Sequence, residues 1–113
     1  SVPAKLNGTE DSAEGFYGFE TKYLEEGVTA TIPAPYSDEL IAQLQDMAVT
    51  CFRALDCKSL ARVDFFVTEN GPVLNEVNTM PGFTAISMYP QVWAATGVDY
   101  PELLSTLIRT ALR

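Results

Sequence analysis

The chain has 113 residues, 47% of them apolar, and a formal net charge of −8 from 15 acidic and 7 basic side chains. This length holds one domain or part of one, with enough apolar content for a small core. A chain this acidic is a poor match for nucleic acid or an anionic membrane surface, no apolar run is long enough to span a bilayer, and the lack of histidine excludes a histidine-based triad or histidine-ligated zinc site within it.

Residues 1–15 are polar and read as a loop or frayed end, a flexible segment ahead of the folded part. Over residues 16–23, the aromatics Phe16, Tyr17, Phe19 and Tyr23 mark a strand or ordered loop. Lys22 suits a phosphate and the Tyr23 hydroxyl suits closure over a substrate; a surface lysine beside a half-buried tyrosine is the commoner case. Glu25-Glu26-Gly27 turns the chain, and residues 28–32 read as a strand ended by Pro33 and Pro35.

Residues 37–55 form the clearest helix. Ser37 suits the N-cap, and Asp38 and Glu39 suit the positive first turn. Leu40, Ile41, Leu44, Met47, Ala48, Cys51, Phe52 and Leu55 make one apolar stripe, which predicts core. Cys51 and Cys57 fit no metal or redox motif, so Cys51 reads as a small core residue and a reducing cytoplasm is the expected compartment.

Residues 60–78 read as a hairpin. Val63, Phe65 and Val67 alternate with Arg62, Asp64 and Phe66; Val73 and Val77 alternate with Leu74, Glu76 and Asn78. Glu69-Asn70-Gly71 fits a three-residue loop with Gly71 in the left-handed position. That loop pairs Thr68 with Pro72, Phe66 with Leu74, Asp64 with Glu76 and Arg62 with Asn78. Both carboxylates, the guanidinium and the amide then share one face.

Facing carboxylates repel, so a proton or a cation is expected between them. Two carboxylates and an amide are hard oxygen ligands that suit Mg²⁺, which also accepts phosphate oxygens. Arg62 on the same face balances phosphate charge. A solvated acidic sheet face explains the same residues, and the hairpin by itself leaves the two readings level.

The run Thr79-Met80-Pro81-Gly82-Phe83-Thr84 follows at once. Pro81-Gly82 permits a sharp turn and a close backbone approach, with N–H groups able to face an oxyanion. Ser87 and the backbone N–H of Met88 suit a carboxylate at the start of a helix. An ordinary turn and an ordinary cap also account for these residues, and on these residues alone that is the favoured reading. Residues 89–96 read as a short helix with Pro90 in its first turn and Gly97 at its end. Pro101 opens the last helix, with Leu103, Leu104, Leu107, Ile108, Ala111 and Leu112 expected to face inward. The class is α+β: a mainly antiparallel sheet with helices packed on one face and the carboxylate face left open.

Three runs taken together are specific. Phe16-Tyr17-Gly18-Phe19-Glu20-Thr21-Lys22-Tyr23, Ala61-Arg62-Val63-Asp64-Phe65 and Asn75-Glu76-Val77-Asn78-Thr79-Met80-Pro81-Gly82-Phe83-Thr84 resemble the D-alanine–D-alanine ligases, as do Ser87, Pro90, Gly97 and Tyr100-Pro101-Glu102-Leu103-Leu104. Gly18 and Thr21 differ from residues often seen in that family's closing loop. The resemblance implies the C-terminal part of an ATP-grasp domain over residues 16–113. It implies ATP as co-substrate with two Mg²⁺ or Mn²⁺ ions, and ligation of two D-alanines through a D-alanyl phosphate for peptidoglycan. By matching position, Asp64, Glu76 and Asn78 would hold the metals, and Arg62 would stabilise the transferring phosphate. The Gly82 N–H would serve the oxyanion, and Ser87 and Met88 the second D-alanine's carboxylate. Lys22 and Tyr23 would lie on the closing loop, with Tyr23 favouring D-alanine as acceptor, and Phe16 would line the nucleotide pocket.

Members of that family are roughly three times this length, in line with several ordinary domains. The chain is therefore expected to carry the metal half of a site, to need the rest of a ligase chain for turnover, and to be a homodimer when whole. A stand-alone Mg²⁺- or nucleotide-binding module, and a ligase using D-lactate or D-serine, are the competing readings.

Overall fold

The computed structural model describes residues 1–7 and 29–113. Its elements are β1 (Lys5–Asn7), β2 (Thr29–Thr31), α1 (Asp38–Ala54), β3 (Arg62–Thr68), β4 (Gly71–Asn78), α2 (Met88–Thr96) and α3 (Tyr100–Ala111). The mixed α+β class agrees with the sequence expectation. The sheet, however, is two separate antiparallel pairs among the described residues, β1 with β2 and β3 with β4. Lys5–Asn7, expected within a polar loop, is a strand because it pairs with β2 from Lys5 opposite Thr31 to Asn7 opposite Thr29. The Asn7 amide adds a bond to Thr31 Oγ1 at 2.9 Å.

α1 starts and stops for local reasons. The Ser37 hydroxyl accepts from the Leu40 N–H at 3.2 Å, meeting one of the helix's orphan donors. At the other end, Cys57 N–H bonds Phe52 C=O and Asp56 N–H bonds Arg53 C=O, with Asp56 at φ +50°. That is a Schellman ending, with aspartate in the left-handed position usually given to glycine. α2 ends the same way through Gly97 at φ +103°. Asp99 caps α3 by accepting from the Glu102 N–H at 2.9 Å.

The core contains Ala34, Leu44, Tyr89, Val92 and Leu103. Burying a side chain such as Leu44 or Leu103 contributes about 2–3 kcal/mol. Two sequence expectations are corrected here. Of the α1 stripe only Leu44 is fully buried, and Leu55 is exposed. On α3, Leu103 faces inward, but Leu104, Ile108 and Leu112 lie open, because no described residue covers that side. Periodicity identifies a stripe; a neighbour is needed to bury it.

The hairpin is also corrected at its tip. Asp64 faces Glu76 and Arg62 faces Asn78, as expected, but a bulge follows Asp64. Beyond it Phe65 pairs with Leu74, Phe66 with Val73, Val67 with Pro72 and Thr68 with Gly71. The extra residue sits beside the carboxylates rather than in the turn, so Val73 shares the face of Phe66. Gly71 still takes a positive φ, +110°. No described helix is long and apolar enough to cross a membrane.

Candidate active site

β3 carries Arg62 and Asp64 two residues apart, hence on one face, and β4 sets Glu76 opposite Asp64. Arg62 forms a two-pronged pair with Asp64: Nε lies 2.9 Å from Oδ1, and Nη2 lies 2.9 Å from Oδ2. The same Nη2 reaches Glu76 Oε1 at 3.2 Å. One guanidinium therefore spans both carboxylates and offsets the repulsion between them. Arg62 and Asp64 are partly buried, which makes this pair stronger than a solvent-exposed one.

Asn78 ends β4. Its Oδ1 accepts from the Met80 N–H at 2.9 Å, an Asx-type turn that launches the loop. Pro81, within that loop, is buried. The Gly82 position is crowded: a Cβ there would stand 3.1 Å from Ser87 Oγ. Ser87 is the N-cap residue of α2, yet its hydroxyl makes no cap bond. It accepts from the Thr84 N–H at 2.9 Å and lies 2.8 Å from Thr84 Oγ1. Met88 is the first residue of α2, where backbone N–H groups lack intrahelical acceptors.

Phe83 anchors the loop to the helices. Its ring centroid lies 5.8 Å from that of Tyr89 and 5.6 Å from that of Tyr100. The Tyr100 hydroxyl donates to Phe83 C=O at 3.0 Å. Tyr89 is buried, which pushes its phenol above the usual tyrosine range, and a hydrogen bond with Trp93 opposes that in part.

Arg62, Asp64, Glu76, Gly82, Ser87 and Met88 all line one open cleft of about 1460 Å³. The charged hairpin face and the Pro-Gly loop, separate in sequence, thus border a common space. Asn78 is not among the cleft-lining residues; its amide oxygen is turned to the loop backbone. Phe16, Lys22 and Tyr23 lie outside the described residues. Among those described, no group of three or more His, Cys, Asp or Glu side chains is placed to share a metal, so the oxygen donors at hand are Asp64, Glu76 and the Asn78 amide. Sequence reading passed over the contacts of Tyr100 and Thr84. Their only signal was membership of a motif, because both act across a loop.

The C-terminal family described as "D-ala D-ala ligase C-terminus" matches residues 4–109. The chain belongs to that family. It is 64% identical over 112 residues to the D-alanine–D-alanine ligase of Corynebacterium efficiens, covering 99% of this chain and 31% of that protein. It therefore spans less than a third of the length of this curated relative. Among solved structures, a D-Ala:D-Ser ligase of Enterococcus faecalis matches with a TM-score of 0.74 and 35% identity, over 95% of this chain and 30% of the other. A D-alanine–D-alanine ligase of Bacillus anthracis complexed with ATP matches with a TM-score of 0.70 and 35% identity, over 75% of this chain and 30% of the other. These similarities extend to the ATP-grasp ligase fold.

Proposed function

We propose that this chain is the metal- and phosphate-handling part of an ATP-dependent D-alanine–D-alanine ligase, acting in the cytoplasm to make the dipeptide for peptidoglycan. The observation that carries this reading is Arg62 spanning the facing carboxylates of Asp64 and Glu76, in a chain of this ligase family. In the reaction, the γ-phosphate of ATP passes to the carboxylate of one D-alanine. The amine of the second D-alanine then displaces phosphate from the acyl carbon.

Asp64 and Glu76 supply hard carboxylate oxygens that suit divalent cations and would hold two Mg²⁺ or Mn²⁺, with the Asn78 amide as a further donor once it leaves the Met80 N–H. Bound there, the ions supply charge neutralisation for the phosphates. Arg62 has two carboxylate partners to give up, and in exchange binds the transferring phosphate and the oxyanion. The Gly82 N–H would serve that oxyanion, while the missing Cβ leaves room for Ser87 Oγ. Ser87 and the Met88 N–H hold the carboxylate of the second D-alanine at the positive end of α2. By the family resemblance, Phe16 would border the nucleotide, and Lys22 and Tyr23 would close over the site. The remaining ATP contacts, the first D-alanine's site and the dimer interface belong to the rest of the ligase chain. Catalysis then rests on positioning and charge, with no covalent protein nucleophile.

The resemblance to a D-Ala:D-Ser ligase over 95% of the chain supports D-serine as a second acceptor to examine. The test uses the full-length protein: phosphate release from Mg-ATP with D-alanine, D-serine or D-lactate, beside Asp64→Asn. D-alanine-dependent release that drops about 100-fold or more in the variant is expected, since even outer-shell partners of a metal cost 10–100-fold. A folded full-length protein releasing no phosphate with any of the three would sink the ligase reading and favour a binding module.

A further inference from the structure

We infer that Tyr100 is a positioning residue for the acceptor end of the site, working through the Phe83–Thr84 peptide on Ser87. The inference rests on the ligase reading for its substrate, but its geometry stands by itself.

A single peptide plane is held at both ends. Its carbonyl, on Phe83, accepts from the Tyr100 hydroxyl at 3.0 Å. Its N–H, on Thr84, donates to Ser87 Oγ at 2.9 Å. A peptide whose carbonyl is hydrogen-bonded is more polarised, and its N–H is a better donor. The Thr84 N–H fills one lone pair of Ser87 Oγ, and Thr84 Oγ1 at 2.8 Å is able to fill another as donor. The Ser87 proton is then left for a carboxylate in the cleft, whose lining includes Ser87 and Thr84 but not Tyr100.

Three features make this more than a helix-start hydrogen bond. Tyr100 opens α3, so the bond ties α3 to a loop 17 residues earlier. The Phe83 and Tyr100 rings also pack at 5.6 Å, which keeps the hydroxyl in place. Ser87 has no cap bond of its own to hold its rotamer, so the Thr84 peptide and hydroxyl are what orient it. Tyr100 is 39% exposed, so water competes for its hydroxyl and the effect is that of one modest hydrogen bond.

The deciding variant is Tyr100→Phe in the full-length protein, which keeps the ring and removes only the hydroxyl. The expected result is a KM for the acceptor amino acid raised roughly 2- to 10-fold, the range set by one net hydrogen bond. The KM for ATP should hold and kcat should change less than the acceptor KM. Hydrogen–deuterium exchange over residues 81–87 should quicken, while exchange in α1 stays as in the parent. A purely structural role would lower Tm and leave the ratio of acceptor KM to ATP KM untouched; that outcome overturns the inference. Should the parent protein ligate nothing, the ligase reading falls, and exchange decides alone: unchanged protection at residues 81–87 in Tyr100→Phe overturns the clamp. If the phenylalanine variant fails to fold, Tyr100→Leu, which also lacks a side-chain hydrogen-bond donor, takes the same two measurements with the same criteria.

Discussion

Gly82 and Ser87 approach so closely that a methyl group on Gly82 would meet Ser87 Oγ at 3.1 Å. Ser87 Oγ is also held by both the N–H and the hydroxyl of Thr84. It therefore yields only by loosening those bonds. Gly82 has no positive φ, so the constraint here is steric and not conformational.

Gly82→Ala accordingly tests the loop without backbone strain. Ligase activity of the full-length variant should fall about 10-fold, less than the ~100-fold that a 1 Å misplacement costs. Tm should move little, because Gly82 is exposed. Steady-state kinetics beside a thermal melt check both halves; a large Tm loss with unchanged kinetics contradicts the account.

Arg62 bonds both Asp64 and Glu76 and so offsets their mutual repulsion. Stripping divalent ions with EDTA should therefore abolish turnover but shift Tm by under ~3 °C, the equivalent of about 1 kcal/mol in a larger chain. Arg62→Met removes the guanidinium that spans the two facing carboxylates. Added Mg²⁺ should then raise Tm more than it does in the parent, by mass action on the folded state. Equal Mg²⁺ responses in parent and variant would show that the guanidinium carries no such role.

The raised Tyr89 phenol makes a pH prediction. Burial favours its neutral form in the folded state, so the folded protein keeps the proton to higher pH than the unfolded chain. Stability from this group is fully present below pH 10 and is lost as pH rises through the raised folded value. Melting curves from pH 9 to 11.5 should show a falling Tm above pH 10, with a shallower fall in Tyr89→Phe. Parallel curves would place the alkaline transition elsewhere.

The bulge after Asp64 shows how far pattern alone reaches. An odd number of residues separates Asp64 from Glu76. A three-residue loop absorbs it, and so does a two-residue loop with one bulged residue. Both arrangements keep Asp64 opposite Glu76, which is why that pairing was legible while the tip register was not. The choice moved Val73 to the face of Phe66.

Local chemistry explains most of what was read correctly. Ser37 and Gly97 mark helix ends through bonds to neighbours within a few residues, and Pro101 marks one through its fixed φ. The apolar stripe of α3 was equally visible, yet Ile108 and Leu112 lie open. A stripe records a shared side of a helix and carries no information on what lies against it.

From its sequence alone, this chain determined its class, its helix boundaries and the facing of Asp64 and Glu76, because periodicity and capping act over a few residues. Only the tertiary structure decided that Arg62 spans both carboxylates, that the Asn78 amide turns to Met80, and that Tyr100 reaches Phe83. Those contacts depend on which rotamer each side chain takes and how a loop folds back on a helix. Packing sets both, between residues whose spacing in the chain follows no period.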